Sequence, residues 1–108
     1  MTPPQPLAIV MTTVESSGDA NTLATALIEQ SLAACVQVDG PITSYYRWAG
    51  RTETSSEFRL MIKTSLASWP AVKDWLAKKH PYDEPEIILM HLDDASEGYR
   101  DWLLEQTK

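Results

Sequence analysis

Two extended runs meet at Trp48-Ala49-Gly50-Arg51, and each is far longer than an ordinary strand. Before the turn, Val36 and Val38 alternate with Gln37 and Asp39. After it, Phe58, Leu60, Ile62 and Thr64 alternate with Glu57, Arg59, Met61 and Lys63. A period of two places successive side chains on opposite faces of a pleated strand. The arms run from Cys35 to Trp48 and from Arg51 to Thr64. At ~3.3 Å per residue each reaches about 40 Å, whereas a typical strand holds ~5–6 residues. A compact chain of this size has a radius of gyration of only ~13 Å, so the far end of the hairpin must overhang the core. Gly40-Pro41 interrupts the first arm and predicts a bulge or kink there.

The overhang carries Tyr45, Tyr46 and Trp48. Large rings beside an unpaired strand edge are an aggregation hazard unless another surface covers them. Pairing with a second copy of the same chain is the economical cover, which makes these three the assembly residues. The competing arrangement folds the hairpin back over its own sheet at Gly40-Pro41.

The remaining segments build a domain around this hairpin. Leu7-Ala8-Ile9-Val10-Met11-Thr12-Thr13-Val14 is continuously apolar and β-branched, as in a central strand buried on both faces. Ser16-Ser17-Gly18-Asp19 offers N-caps, and Leu23, Ala24, Leu27, Ile28 and Leu32 follow at helical spacing. Ser68 can cap a second helix with Pro70 in its first turn and Trp69, Val72, Trp75 and Leu76 facing inward. Glu86-Ile87-Ile88-Leu89-Met90-His91-Leu92 predicts another buried strand, and Asp94 or Ser96 caps a last helix carrying Tyr99, Trp102 and Leu103. The order βαββαβ is the ferredoxin-like split βαβ unit, of class α+β, with an extra C-terminal helix. Right-handed crossovers put the first and third strands side by side in the middle. A chain of 108 residues has room for one domain, read here over residues 7–108 behind a short disordered tail, residues 1–6.

Charge and composition remove several function classes. The net charge is −6 and the basic residues are scattered, so a nucleic-acid partner is rejected. The purest apolar stretches, residues 7–11 and 87–90, fall far short of the ~20 residues of a membrane helix. Cys35 is the single cysteine, which rules out an intrachain disulfide and suits the reducing cytoplasm. With 4 glycines there is little material for a nucleotide loop, and no catalytic motif is assembled. The expectation is a binding protein, not an enzyme.

Three positions carry candidate chemistry. Cys35 is a small buried hydrophobe, a soft-metal ligand or a nucleophile. His80 ends the second helix, where its protonated form would meet the helix dipole favourably. Behind it, Pro81-Tyr82-Asp83-Glu84-Pro85-Glu86 is either a stiff acidic connection or a turn presenting His80 and Glu86 together to a cation. His91 lies in a strand run and reads as a satisfied structural histidine.

Several stretches, in this order and at these distances, resemble the CutA family of divalent-cation tolerance proteins. They are Thr12-Thr13, Leu32-Ala33-Ala34-Cys35-Val36, Ile42-Thr43-Ser44 with Tyr46, Trp48 and Gly50, then Lys63-Thr64 and His80-Pro81-Tyr82-x-x-Pro85-Glu86, and finally Tyr99 and Trp102. The resemblance implies a homotrimer with interlocked hairpins and kinship with the trimeric PII signalling proteins, whose inter-subunit clefts bind effectors. It implies tolerance to copper and other divalent metals, with Cys35 and His80 as metal ligands and Tyr82 and Glu86 lining the same cleft. On that basis Cys35, His80 and Glu86 are the expected metal set. Cu2+ or Zn2+ is the expected ion, with no obligatory cofactor. A PII-like reading instead expects a small effector in a cleft formed by Lys63, Tyr82 and Glu86. The chain departs from the family at Gln37, at Glu84 and at Ala49, which replaces a carboxylate at the hairpin turn. The tip is therefore expected to do structural work.

Overall fold

A computed structural model describes residues 5–107 of the chain. Its longest element is the hairpin: β2 (Cys35–Trp48) has 14 residues and β3 (Arg51–Ser65) has 15. The molecule measures 53 × 25 × 22 Å, so the hairpin does overhang instead of folding back. Tyr45 is 75% exposed and Trp48 62%, which leaves both rings uncovered within one chain. At the tip Ala49 (φ 51°) and Gly50 (φ 76°) both take positive φ, as a two-residue turn between twisted strands requires.

The first arm bulges where Gly40-Pro41 predicts it, and the pairing shifts between Asp39 and Ile42. Gly40 has φ 151° and lies against the facing strand. A Cβ there would stand 2.8 Å from Phe58 Cδ1 and 2.9 Å from the Glu57 carbonyl oxygen. Just before the bulge, Arg59 grips both carboxylate oxygens of Asp39, at 3.2 and 2.8 Å, and holds the register of the two arms.

β1 (Leu7–Val14) lies between β3 and β4 (Ile88–Leu92), giving the antiparallel order β2-β3-β1-β4. The expected central position of β1 beside β3 is observed. β4 differs from expectation: it begins at Ile88, forms an edge, and leaves Ile88, Met90 and His91 exposed. An apolar run signals burial without saying whose surface provides it, and here the chain itself does not.

Helices α1 (Ser17–Glu29) and α2 (Trp69–Lys79) cover one face of the sheet. The Ser16 hydroxyl accepts the Asp19 N–H at 3.0 Å and caps α1. Leu32 lies past the helix end, after Ser31 takes a positive φ. Ser65, not Ser68, supplies the second cap. It accepts the Ser68 N–H at 3.2 Å and starts a short 3-10 turn, so Ser68 is already helical in backbone and caps nothing. The core between helices and sheet consists of Val10, Val14, Leu23, Leu27, Leu60, Ile62, Val72 and Leu76, all buried. Helix α3 (Glu97–Gln106) follows the last strand. Its Tyr99 ring lies 5.9 Å from Lys63 Nζ, and Lys63 points away from its core neighbour Ile62. That contact places α3 against the other face. Of the expected tail, residues 1–4 lie outside the described residues. Pro6 is held by its carbonyl, which accepts the Leu66 N–H at 3.0 Å.

Gly40→Ala is expected to lower unfolding free energy by about 1–3 kcal/mol in urea titrations, because strain and collision add. Gly50→Ala, with open space around it, is expected to cost no more than about 1 kcal/mol. Equal losses at the two positions would refute the close-approach role of Gly40.

Candidate functional site

Past the Val14–Phe58 pair, β3 continues without β1 beside it. The step leaves a groove of about 1360 Å³ between the root of the hairpin and the loop that follows α2. Tyr46 and Glu53, paired across the hairpin, form one wall, and Tyr82, Glu84 and Glu86 form the other. Glu15 and Glu57 line it as well, so carboxylates outnumber every other charged group in the lining.

The loop is fastened by His80, which is buried at the C-terminus of α2. Its backbone N–H donates to the Leu76 carbonyl at 2.9 Å and closes the helix. Nδ1 accepts the Tyr82 N–H at 3.1 Å, so the ring proton sits on Nε2. Nε2 lies 3.0 Å from the Thr13 carbonyl and 2.9 Å from the Thr12 hydroxyl. Burial lowers the His80 pKa below its ordinary value. The Thr13 carbonyl bond and the charges of Asp19 and Glu57 oppose that shift without overcoming it. The imidazole is therefore neutral at neutral pH, and the expected favourable contact of a protonated His80 with the helix dipole gives way to desolvation.

Tyr82 continues the chain of contacts. Its ring lies 5.0 Å from that of His80 at an angle of 58°, and its hydroxyl donates to Glu57 Oε2 at 2.8 Å. Burial, then the Glu57 bond and charge, pushes the Tyr82 pKa well above the ordinary phenol value, so it stays a donor. Glu57 is only 7% exposed. Among the described residues no lysine or arginine forms an ion pair with it. Sequence reasoning missed Glu57 because it occupies an ordinary polar position of an alternating strand. The only available signal was its place next to the Gly40-Pro41 break, where the arms change register.

The sequence-derived candidates do not converge in one chain. Tyr82 and Glu86 line the groove together, with Tyr45, Tyr46 and Trp48 on its hairpin side. His80 turns both ring nitrogens to protein groups, so the acidic turn does not present it with Glu86. Cys35 is half-buried at the other end of the hairpin, level with Lys63 and Ile9. Four residues of β1 and two strand spacings separate it from Thr13, about 13 Å along the strands and about 10 Å across them. Lys63 is outside the groove, against Tyr99. His91 is exposed on the edge strand, not enclosed as expected. Among the described residues, no three His, Cys, Asp or Glu side chains are grouped to hold a metal ion.

Comparison with known proteins gives a consistent result. The family model for CutA1 divalent ion tolerance protein matches residues 8–106. The divalent-cation tolerance protein CutA of Thermus thermophilus is 39% identical over 99 residues, covering 92% of this chain and 96% of that one. Human Protein CutA is 37% identical over 89 residues, and the match spans 50% of its length. CutA1 from Oryza sativa superposes with a TM-score of 0.94 at 32% identity, covering 97% of this chain and 96% of that one. The CutA of Archaeoglobus fulgidus, described as periplasmic, gives 0.91 at 29% identity, covering 94% and 99%.

The neutral His80 makes stability depend on pH. Its folded pKa lies below the unfolded value of 6.5. Between the two, the unfolded chain binds more protons, so stability rises with pH. It is therefore lost as pH falls through about 6.5 and is fully lost once pH passes the folded value. Urea midpoints at about pH 7.5 and about pH 5.5 are expected to differ more for the native chain than for His80→Gln. Equal differences would show that another group carries the effect.

Proposed function

The chain belongs to the CutA1 family of divalent ion tolerance proteins, and from that membership we propose that it is a homotrimer that binds divalent cations as cargo. The observation that carries the reading is Glu57, a buried carboxylate with, among the described residues, a single phenolic donor and no cation paired with it, in a groove lined by further carboxylates. A buried charge needs compensation. Glu86 in the groove and the half-buried thiol of Cys35 are the proposed ligands, and a thiolate favours copper or zinc over calcium or magnesium. His80 joins them only by giving up the Tyr82 N–H. Since one chain does not group these residues, completing a site falls to a neighbouring copy.

Assembly is supported by the uncovered rings of Tyr45 and Trp48 and by the exposed apolar edge of β4. A binding role is favoured over catalysis because Cys35 has no histidine within reach to act as its base. The lone thiol favours the cytoplasm, and no described helix is long and apolar enough to cross a membrane. A second reading, an effector-binding trimer of PII type, draws on the groove itself. Its volume exceeds what an ion needs and lies above the ~300–1,000 Å³ of ordinary small-molecule sites, so it has room for such a ligand. That effector would meet Tyr82 and Glu86 without Lys63.

Calorimetric titration with Cu2+ and Zn2+ is expected to show binding that weakens by about tenfold or more in Cys35→Ala and Glu86→Ala. Binding unchanged in both variants would remove these residues from the site. Ions that bind nothing, while a small metabolite raises the melting temperature, would favour the effector reading. Light scattering at micromolar concentration is expected to return about three times the chain mass of 12.1 kDa, and the monomer mass would overturn the assembly.

A further inference from the structure

The groove at the hairpin root is acidic on both of its walls. Among the described residues it takes carboxylates from Glu15, Glu53, Glu57, Asp83, Glu84 and Glu86, and no lysine, arginine or histidine lines it. Yet no three of these acids are grouped to hold one metal ion. A compact, strongly hydrated cation needs several oxygens converging on one point. Carboxylates strung along a groove suit a cation whose charges are strung out as well. The volume of about 1360 Å³ also favours a long ligand over a point charge.

Strand β3 supplies the row. Thr52, Thr54 and Ser56 are exposed, whereas Glu53 and Ser55 are half-buried and Glu57 is buried. This alternation sets Glu53, Ser55 and Glu57 on one sheltered face of the strand, and all three line the groove. Successive members stand about 7 Å apart, so the two carboxylates are about 13 Å apart with a hydroxyl between them. Glu57 anchors the inner end. Its Oε2 accepts the Tyr82 hydroxyl, while Oε1 accepts no hydrogen bond among the described residues and is not closed off from solvent. A buried carboxylate with one oxygen still free calls for a cationic donor. Tyr82 lies beside this inner carboxylate, and Tyr46 is paired with Glu53 at the outer one. Aromatic rings attract ammonium groups and pack against the methylenes that join them.

We propose that the groove binds a linear polyamine, with one ammonium group at Glu57 and another at Glu53. The inference deepens the effector reading and rests on it, since it names a ligand class for the same groove. The Ser55 hydroxyl accepts from an amine between the two, and propylene or butylene spacers suit the repeat of the row. Glu84 and Glu86 on the loop add negative potential without having to touch the ligand. The same potential repels metabolites that carry phosphate or carboxylate groups, because no cation in the lining offsets it. The rings of Tyr45 and Trp48 are not part of the row, so covering them in an oligomer does not remove it.

Full-length protein is titrated with spermidine by calorimetry at about 150 mM salt, where attraction to distant surface charge is screened. Binding is expected to weaken by at least about tenfold in Glu57→Gln and by about threefold in Glu53→Gln. Glu57→Gln keeps an oxygen for the Tyr82 hydroxyl, so its melting temperature is expected to stay close to native. Glu53→Gln breaks no hydrogen bond among the described residues and decides the matter if Glu57→Gln folds poorly. Glu105→Gln removes the same charge from the exposed side of α3 and is expected to change binding by less than about twofold. Equal weakening in Glu105→Gln and Glu57→Gln would overturn the proposal, leaving only attraction to an acidic surface. Binding unchanged in both groove variants would overturn it as well. A thermal-shift series sets spermidine beside neutral and phosphorylated metabolites and a lysine-rich peptide. Stabilisation by another metabolite but not by spermidine would overturn the polyamine and keep the effector reading. Stabilisation by the peptide alone would overturn it in favour of a protein partner, and no stabilisation by any of them would overturn both.

Discussion

At Phe58 the strand β3 passes the end of β1 and keeps only β2 beside it. On the sheet side of that step, β3 is flanked on both edges and packed by helices. On the other side two strands stand with no layer behind them. A two-stranded ribbon is marginal in water by itself, so the step needs reinforcement. It gets it from three directions. Gly40 lets the β2 backbone close against Phe58, Arg59 clamps Asp39 just inside the bulge, and Tyr82 reaches across to Glu57 just outside it. Most of the specialised geometry of the molecule lies within a few residues of this point.

The groove is a by-product of the same step. Where β1 ends, the chain between α2 and β4 must cross from the helix layer to the far edge of the sheet, and it crosses the gap β1 has left. His80 fixes the crossing by bonding to Thr13 on β1 and to Tyr82 within the loop. Tyr82 in turn bonds to β3. A neutral imidazole suits that task, because one nitrogen must accept and the other must donate. A protonated ring has no acceptor to offer the Tyr82 N–H. The physical reason for burying this histidine is thus structural first, and any ligand role for it competes with the loop it holds.

Much of the fold was legible because it rests on periodicity. The unbroken apolar run of β1, the alternation in the two arms and the helical spacing of Leu23 and Leu27 each specify an element without reference to its neighbours. The errors arose where a neighbour decides. Ser68 has the right chemistry for a cap but the wrong backbone, since Ser65 had already begun the turn. The burial of β4 was inferred from its composition, yet an edge strand is covered only by something beyond the sheet. The site was less legible still. Cys35 and His80 share a plausible ligand chemistry, and only the strand register shows that β3 and β1 hold them apart. Glu57 looks like any outward carboxylate until the loop closes over it.

The two ends of β3 differ in the donor side chains that lie on and beside them. The thioethers of Met11 and Met61 and the thiol of Cys35 lie at the paired end of β3, and the carboxylates of Glu57 and Glu53 lie at its unpaired end. From Met61 to Glu57 is about 13 Å along the strand, and the oxygen donors begin where the sulfur ones stop. The cause is the packing around them. The paired end faces apolar residues of β1 and β4, where the polarizable Met61 is half-buried and the charges of Lys63 and Arg59 are met by the Tyr99 ring and by Asp39. At the unpaired end Glu53 is half-buried along the groove, while Glu57 is buried beneath the loop and accepts the Tyr82 hydroxyl. A single strand crossing from one environment to the other therefore carries a neutral thioether at one end and carboxylates at the other, without any residue being placed for that purpose.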